Sequence, residues 1–198
     1  MTEQLPFESG LVAVDPAGDL ATALELPARP LHIEVGFGKD VRVLRAAAAD
    51  PGTLYLGIEV SRKKHDKFCR KVARAGLRNV RALLCDVREV LQEMLPPACV
   101  LSFTVLFPDP WPKRRHHKHR WITPESAPQL ARALVPDGCV TVATDDAPYM
   151  DQIRASMQSA GFRLERETAT VPALERSLFA ERFERLGAPV LYQRWLRG

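Results

Sequence analysis

Residues 31–40 read LHIEVGFGKD, a short apolar run that breaks into Gly36-Phe37-Gly38. The run from Leu31 to Val35 predicts a strand, and the two glycines predict a tight turn at its carboxyl end. Helical spacing follows in Val41, Leu44, Arg45 and Ala46 to Ala49, and Pro51-Gly52 ends it. The same unit repeats downstream. Thr53 to Val60 predicts a second strand terminating in Glu59. Ser61 is the N-cap of a helix through Ala75, with Gly76 as its stop. Val80 to Leu84 predicts a third strand ending at Cys85-Asp86, followed by a short helix from Val87 to Met94. Val100 to Phe107 is the fourth strand and Cys139 to Ala143 the fifth, closed by Thr144-Asp145-Asp146. Between them the sequence predicts a helix from Pro124 to Leu134, capped by Thr123, and a turn at Pro136-Asp137-Gly138. A helix through Tyr149, Ile153 and Met157 reaches Gly161. Phe162 to Glu167 and Val190 to Leu196 then read as late strands, the second an antiparallel edge strand, joined by a surface loop around Pro172 to Gly187.

Strand followed by helix, about five times over, argues for an α/β fold: a mostly parallel twisted sheet with right-handed crossovers, helices on both faces and a late antiparallel strand. The 198 residues suit one domain with one buried core. Residues 1–30, which contain Pro6, Pro16, Pro27 and Pro30, read as an irregular arm over an edge of that core. Cys69, Cys85, Cys99 and Cys139 lie singly in apolar settings, which predicts buried thiols rather than a disulfide framework or a zinc site. The start of the chain lacks the basic and apolar regions of a signal peptide, and no apolar run is long enough to span a bilayer, so the expected location is the cytoplasm.

The net charge of +4 matters less than its placement. The stretch 107–121, FPDPWPKRRHHKHRW, packs five Lys or Arg and three His into the eight residues from Lys113 to Arg120. So much charge faces water or a polyanion. Lys113, Arg114, Arg115, Lys118 and Arg120 are candidate phosphate contacts, which position a nucleic acid without reading its sequence. Trp111, held between prolines, reads as buried support for the turn. His116, His117 and His119 lack an acid or thiol at metal-ligand spacing, so no metal site is expected. On the helix after Ser61, Arg62, Lys63, Lys64, Lys67, Arg70, Lys71 and Arg74 surround an apolar stripe of Phe68, Cys69, Val72 and Ala73 and read as a solvated outer face.

Glu34, Glu59, Asp86, Asp109 and Asp145 each fall at or just beyond the carboxyl end of a predicted strand. In a doubly wound sheet those ends share one crevice. Glu59 lies 21 residues beyond Gly38, near the spacing at which a second-strand acid grips ribose hydroxyls, but the third glycine of a dinucleotide fingerprint is absent. A cofactor with a ribose and a cationic centre fits such a crevice better than a dinucleotide.

EVGFGKD at 34–40, GIEV at 57–60, CD at 85–86, FPDPWPK at 107–113, TDD at 144–146 and SLFAERFERLG at 177–187 resemble the bacterial tRNA (guanine-N7)-methyltransferases. The resemblance runs from about Leu31 to Trp195, and FPDPWPK followed by the basic segment is its most specific part. It implies a Rossmann-like, S-adenosyl-L-methionine-dependent enzyme that methylates N7 of guanine 46 in the tRNA variable loop. No obligate protein partner is evident in the sequence, and a monomer is the simplest expectation beside a dimer, since the basic loop and the crevice suffice on one chain. Glu34, Gly36 and Gly38 would line the methionine and ribose side of the cofactor, Glu59 would hold the ribose hydroxyls, and Asp86 would meet the adenine. Asp109 would serve catalysis beside the cofactor. Lys113 and Asp145 would contact the tRNA, and the segment from Ser177 to Ala180 would close over the guanine.

Three departures stand out. Several relatives read Thr-x-x-Glu where this chain has Ser177-Leu178-Phe179-Ala180, so Ala180 removes a carboxylate that could pair with the guanine edge. Either Glu181 or Glu175 substitutes, or guanine selection weakens. Leu106 stands where relatives commonly have Asn, and the arm before Leu31 is short and poor in bases compared with many relatives. A non-catalytic RNA-binding protein on the same fold is the rival expectation, and an enzyme redirected to a different guanine or a different RNA is a third.

Overall fold

The computed structural model describes residues 20–24, 26 and 29–198, apart from the side chain of Leu174. Most of the expected N-terminal arm therefore lies outside the described residues. Its described part includes a short helix, α1 (Leu20–Ala23), with Leu20 and Leu24 buried in the core.

The chain then runs β1 (Leu31–Val35), α2 (Arg42–Ala49), β2 (Leu54–Glu59), α3 (Arg62–Ala75), β3 (Val80–Leu84), α4 (Val87–Glu89) continued by a π-turn (Val90–Met94), and β4 (Val100–Leu106). After a 3-10 segment (Arg114–His119) come α5 (Ala127–Ala133), β5 (Leu134–Thr144), α6 (Ala147–Ser159) and β6 (Arg163–Thr168). A short 3-10 turn (Ala173–Glu175), α7 (Leu178–Arg185) and β7 (Leu191–Leu196) complete it. The seven strands form one sheet in the order β3-β2-β1-β4-β5-β7-β6. β1 to β5 pair in parallel, while β7 is antiparallel to both neighbours. This is the Rossmann-like α/β arrangement with a late antiparallel region.

Register decides where the site lies. Val35 pairs with Ile58 and Val105, Glu59 with Leu84, and Leu106 with Ala143. The carboxyl ends of all five parallel strands thus fall along one edge. The sheet reverses its winding between β1 and β4, and at such a switch point the loops diverge and leave a crevice.

Both faces of the parallel sheet are covered, which is why β2 is buried along its whole length. One face packs the larger cluster, including Ile33, Leu56, Phe103, Val140 and Ile153. The other packs Phe37, Val43, Tyr55, Phe68 and Val72. Phe37 explains Gly57. Its ring lies over β2 so closely that a Cβ on Gly57 would come within 2.5 Å of it. Phe37 also stacks on Phe68 with centroids 4.0 Å apart, which pins the turn between the two glycines to the sheet. A third cluster of Ala143, Val171, Ala180, Val190 and Tyr192 lies under α7.

Four expectations change. The helix expected from Pro124 starts at Ala127, because Thr123 and Ser126 exchange N–H···Oγ bonds of 2.9 and 3.3 Å and hold the residues between them as a turn. Pro136-Asp137-Gly138 falls inside β5, as a bulge between the Val100–Leu134 and Ser102–Cys139 pairings. The strand expected at an edge, β7, lies inside the sheet and β6 forms the edge. The surface loop from Pro172 to Gly187 contains α7, an amphipathic helix anchored by Ala180.

Candidate active site

The turn after β1 has left-handed backbone at Gly36 (φ 71°) and Gly38 (φ 56°), a conformation that costs glycine little. The Gly36 N–H donates to the Ile58 carbonyl at 2.8 Å. Glu59, buried at the end of β2, accepts the Gly38 N–H at 3.1 Å on one oxygen and the Ser61 N–H at 3.0 Å on the other. One carboxylate therefore holds two loops. A Cβ at Gly36 would meet nothing within 4 Å, because that position opens into a cavity of about 380 Å³. The cavity is bounded by the glycine turn, residues 85–88, residues 106–109 and residues 177–179.

Glu34, Gly36, Gly38, Glu59, Asp86, Asp109 and Ser177 all line this one cavity. Asp145, expected there, is exposed at the end of β5 and does not line it. The carboxylates differ in state. Glu34 is buried and ion-paired with the buried guanidinium of Arg42. Burial pushes its pKa up, and Arg42 opposes that shift. The same guanidinium lies 3.3 Å from His32 Nε2, while His32 Nδ1 shares a hydrogen bond of 2.7 Å with Ser102. Burial and the nearby Arg42 charge lower the His32 pKa to about 3, so the ring is neutral. Asp86 caps α4 through the Arg88 N–H at 2.9 Å and pairs with the Arg88 guanidinium at 2.6 Å, a hydrogen bond that holds its pKa below the usual carboxylate range. Asp109 is exposed at the cavity wall between Pro108 and Pro110.

The turn that carries Asp109 is strained. Phe107 (φ 52°) and Trp111 (φ 45°) both hold left-handed backbone, which is unfavourable for bulky side chains. Phe107 donates its N–H to Ala143 at 2.7 Å, and its ring stacks on Phe179 and Phe183 at 5.9 and 5.2 Å. Trp111 was expected to be buried support, but it is 36% exposed on the cavity rim. Its ring lies 4.9 Å from that of His119. The left-handed backbone at Trp111 accompanies this outward placement.

Lys113, Arg114, Arg115 and Lys118 are exposed along the 3-10 segment. Arg120, expected with them as a phosphate contact, is buried beneath the loop instead. It donates to the Pro110 carbonyl at 2.6 Å and to Gln152 at 2.8 Å, lies 3.8 Å from Asp146, and covers the Tyr149 ring at 4.6 Å. With its donors engaged in this way, Arg120 fixes the loop to α6 rather than facing RNA.

The segment before α7 closes one side of the cavity. Ser177 caps α7 by accepting the Ala180 N–H at 3.1 Å. Ala180 itself is fully buried in the third cluster. Neither expected substitute for its missing carboxylate lines the cavity, and Glu175 accepts the Tyr192 hydroxyl at 2.8 Å. Leu106 lines the wall and packs on the same cluster. Sequence reading missed Arg42 and Asp40. An acid two residues before a helix is a capping signal, and Asp40 accepts the Val41 and Arg42 N–H groups at 2.6 and 3.0 Å. Nothing local to Arg42 predicts its partner, because a strand eight residues earlier supplies it.

Residues 28–189 match a family described as putative methyltransferase. A tRNA (guanine-N(7)-)-methyltransferase of Nitrosococcus oceani is 41% identical over 66% of this chain and 56% of its own length. Proteins of the same name from Chromohalobacter salexigens and Pseudomonas aeruginosa are each 34% identical, over 80% and 84% of this chain and 67% and 68% of theirs. The chain thus spans 56% of the first relative and about two thirds of the other two. In three dimensions it is similar to the 16S rRNA methyltransferase KamB, with a TM-score of 0.69 at 17% identity over 89% of this chain and 92% of that one. That likeness concerns the fold alone. The family match and the relatives together show that the chain belongs to the tRNA (guanine-N(7)-)-methyltransferase family.

Proposed function

We propose that the protein transfers a methyl group from S-adenosyl-L-methionine to N7 of guanine 46 in the tRNA variable loop, as a monomer of one domain in the cytoplasm. One observation carries the reading: the glycine turn braced by Glu59 faces the same cavity as Asp109, which is followed directly by an exposed cationic segment. No helix among the described residues is long and apolar enough to cross a membrane.

The residues fit the cofactor. Gly36 leaves open the space a side chain would fill. Each Glu59 oxygen accepts one backbone N–H and retains a lone pair for a ribose hydroxyl. Asp86 would hold the adenine end, and Glu34, with its charge offset by Arg42, would border the methionine end. When bound, S-adenosyl-L-methionine supplies an activated methyl group on a positively charged sulfur.

Guanine N7 carries a lone pair and no proton, so the protein needs no general base to create the nucleophile. Its work is alignment and charge stabilisation. Asp109, fixed between two prolines, orients the base and offsets the positive charge that develops on the purine. The acidic wall favours a cationic cofactor over a product that is neutral at sulfur. Phe179, Leu178 and Trp111 rim the cavity with exposed apolar surface against which a base could pack. Lys113, Arg114, Arg115 and Lys118 hold phosphates. Guanine is selected without the carboxylate at position 180, by shape and by the Ser177 hydroxyl.

The test is transfer of labelled methyl from S-adenosyl-L-methionine to unmodified tRNA, followed by nucleoside analysis. Label in 7-methylguanosine at the variable loop is the expected result. Binding of both tRNA and cofactor without transfer overturns the catalytic reading.

A further inference from the structure

α3 carries seven Lys or Arg and one acid in fourteen residues, more positive charge than the net +4 of the whole chain. Its buried residues His65, Phe68, Cys69 and Val72 face the sheet. Lys63, Lys67, Arg70 and Arg74 fall on the opposite side at helical spacing and are all exposed. Two other bases serve the cavity wall: Lys64 lies 3.9 Å from Glu59, and Lys71 donates to the Lys39 carbonyl at 2.7 Å. The one acid, Asp66, lies 3.1 Å from His65. Among the described residues no ion pair engages Lys63, Lys67, Arg70 or Arg74.

This pattern works against the helix. Like charges three and four residues apart repel, and here three such pairs follow one another. Arg62, Lys63 and Lys64 occupy the first turn, which has no acid and sits at the positive end of the helix dipole. A face needed only for solubility would interleave acids and avoid both costs.

Placement supplies the partner. α3 begins where β2 ends, and Val60 and Lys64 line the cavity, so the stripe starts at the cavity rim and runs away from it for about 16 Å. The other basic surface, Lys113 to Lys118, follows β4. Only β1 separates β2 from β4 in the sheet, a separation of about 10 Å. Positive charge therefore flanks the cavity on two sides, which suits a polyanion wider than the cavity itself.

We propose that Lys63, Lys67, Arg70 and Arg74 form a second contact with the RNA phosphate backbone, across the cavity from the Lys113–Lys118 segment. The proposal rests on the tRNA reading above. The RNA straddles the cavity, with its target base inside and its backbone gripped on both sides.

The test compares the intact protein with the K63Q/K67Q/R70Q/R74Q variant in binding of unmodified tRNA across a salt series, beside a control variant, R163Q/R166Q, on the exposed edge strand β6. Each phosphate contact contributes roughly 0.7–0.9 to the salt slope. The expected result is a slope lower by about three in the α3 variant, a raised KM for tRNA, and unchanged kcat and cofactor affinity. The control variant keeps the parent slope. An α3 variant with the parent slope and KM overturns the proposal, and so does a control variant that loses as much. Failure of the tRNA reading registers separately, as unmodified protein that binds tRNA without methylating it; the slopes still decide the role of α3.

Discussion

The carboxylate of Asp40 accepts the backbone N–H of Leu178, 138 residues further along the chain, at 2.7 Å. Arg45 adds a second tie, donating to the Arg176 carbonyl at 2.8 Å. The loop after the glycine turn is thereby joined to the segment that closes the cavity. Asp40→Ala removes the acceptor for Leu178 and for the N–H groups of Val41 and Arg42 at the start of α2. The expected loss is about 1–3 kcal/mol of stability, with faster hydrogen exchange at Leu178. Exchange at the parent rate would show that the tie holds nothing in place.

Ala180→Glu introduces a carboxylate into the segment that walls the cavity, but here the side chain enters an apolar cluster with Val171, Val190 and Tyr192. Burying an unpaired charge is costly. The variant should lose about 3 kcal/mol or more in urea denaturation and gain no methyl transfer. Restored or increased transfer with unchanged stability would mean that the side chain reaches the base.

Lys113 and Arg120 lie seven residues apart with opposite fates. Lys113→Ala should lower the salt slope of tRNA binding by about one and leave stability near the parent value. Arg120→Gln should leave the slope unchanged and lower the melting temperature, because Pro110 and Gln152 lose their donor. Thermal melts and filter binding on the two variants separate the roles.

Asp109→Asn keeps the size of the side chain and removes its charge. Single-turnover methyl transfer should fall by ten- to a hundredfold, about 1.4–2.7 kcal/mol, with tRNA affinity nearly constant. Equal losses in rate and affinity would make Asp109 a binding residue only.

His32 gives the protein an acid limit. Its pKa is about 3 in the fold against 6.5 for the unperturbed ring, so the unfolded chain binds the extra proton. The stability that depends on a neutral ring is complete above pH 6.5 and is lost as pH falls toward 3, on the order of 5 kcal/mol in all. His32→Gln should flatten the wild-type decline across that window, measured by urea denaturation at stepped pH. An unchanged decline would place the acid sensitivity elsewhere.

The parallel half of the fold was legible because each strand there is a short apolar run punctuated by Gly, Pro or an acid. The antiparallel half was not, because β6 exposes most of its residues and shows no buried alternation. The place of β7 inside the sheet depends on pairing with β5 and β6, which no local pattern encodes. In the site, strand-end position alone brought out Glu34, Glu59, Asp86 and Asp109. The same rule overreached at Asp145. Charge counting placed Arg120 with its exposed neighbours, although the buried Tyr149 face and the Pro110 carbonyl that claim it come from segments 29 and 10 residues away.

β6 is synthesised before β7, yet among the described strands it pairs only with β7. On the ribosome β6 therefore emerges without a strand to join until residues 169–190 have followed it, and β5 keeps an open edge throughout residues 145–190. α7, which walls the cavity, belongs to that same interval. A nascent chain can assemble the parallel half, with its glycine turn and Asp109, while the closing wall is still unmade. Maturation of the pocket is thus timed by arrival of the last strand, and pausing within 169–190 would prolong an open-edged intermediate that is prone to pair with another chain.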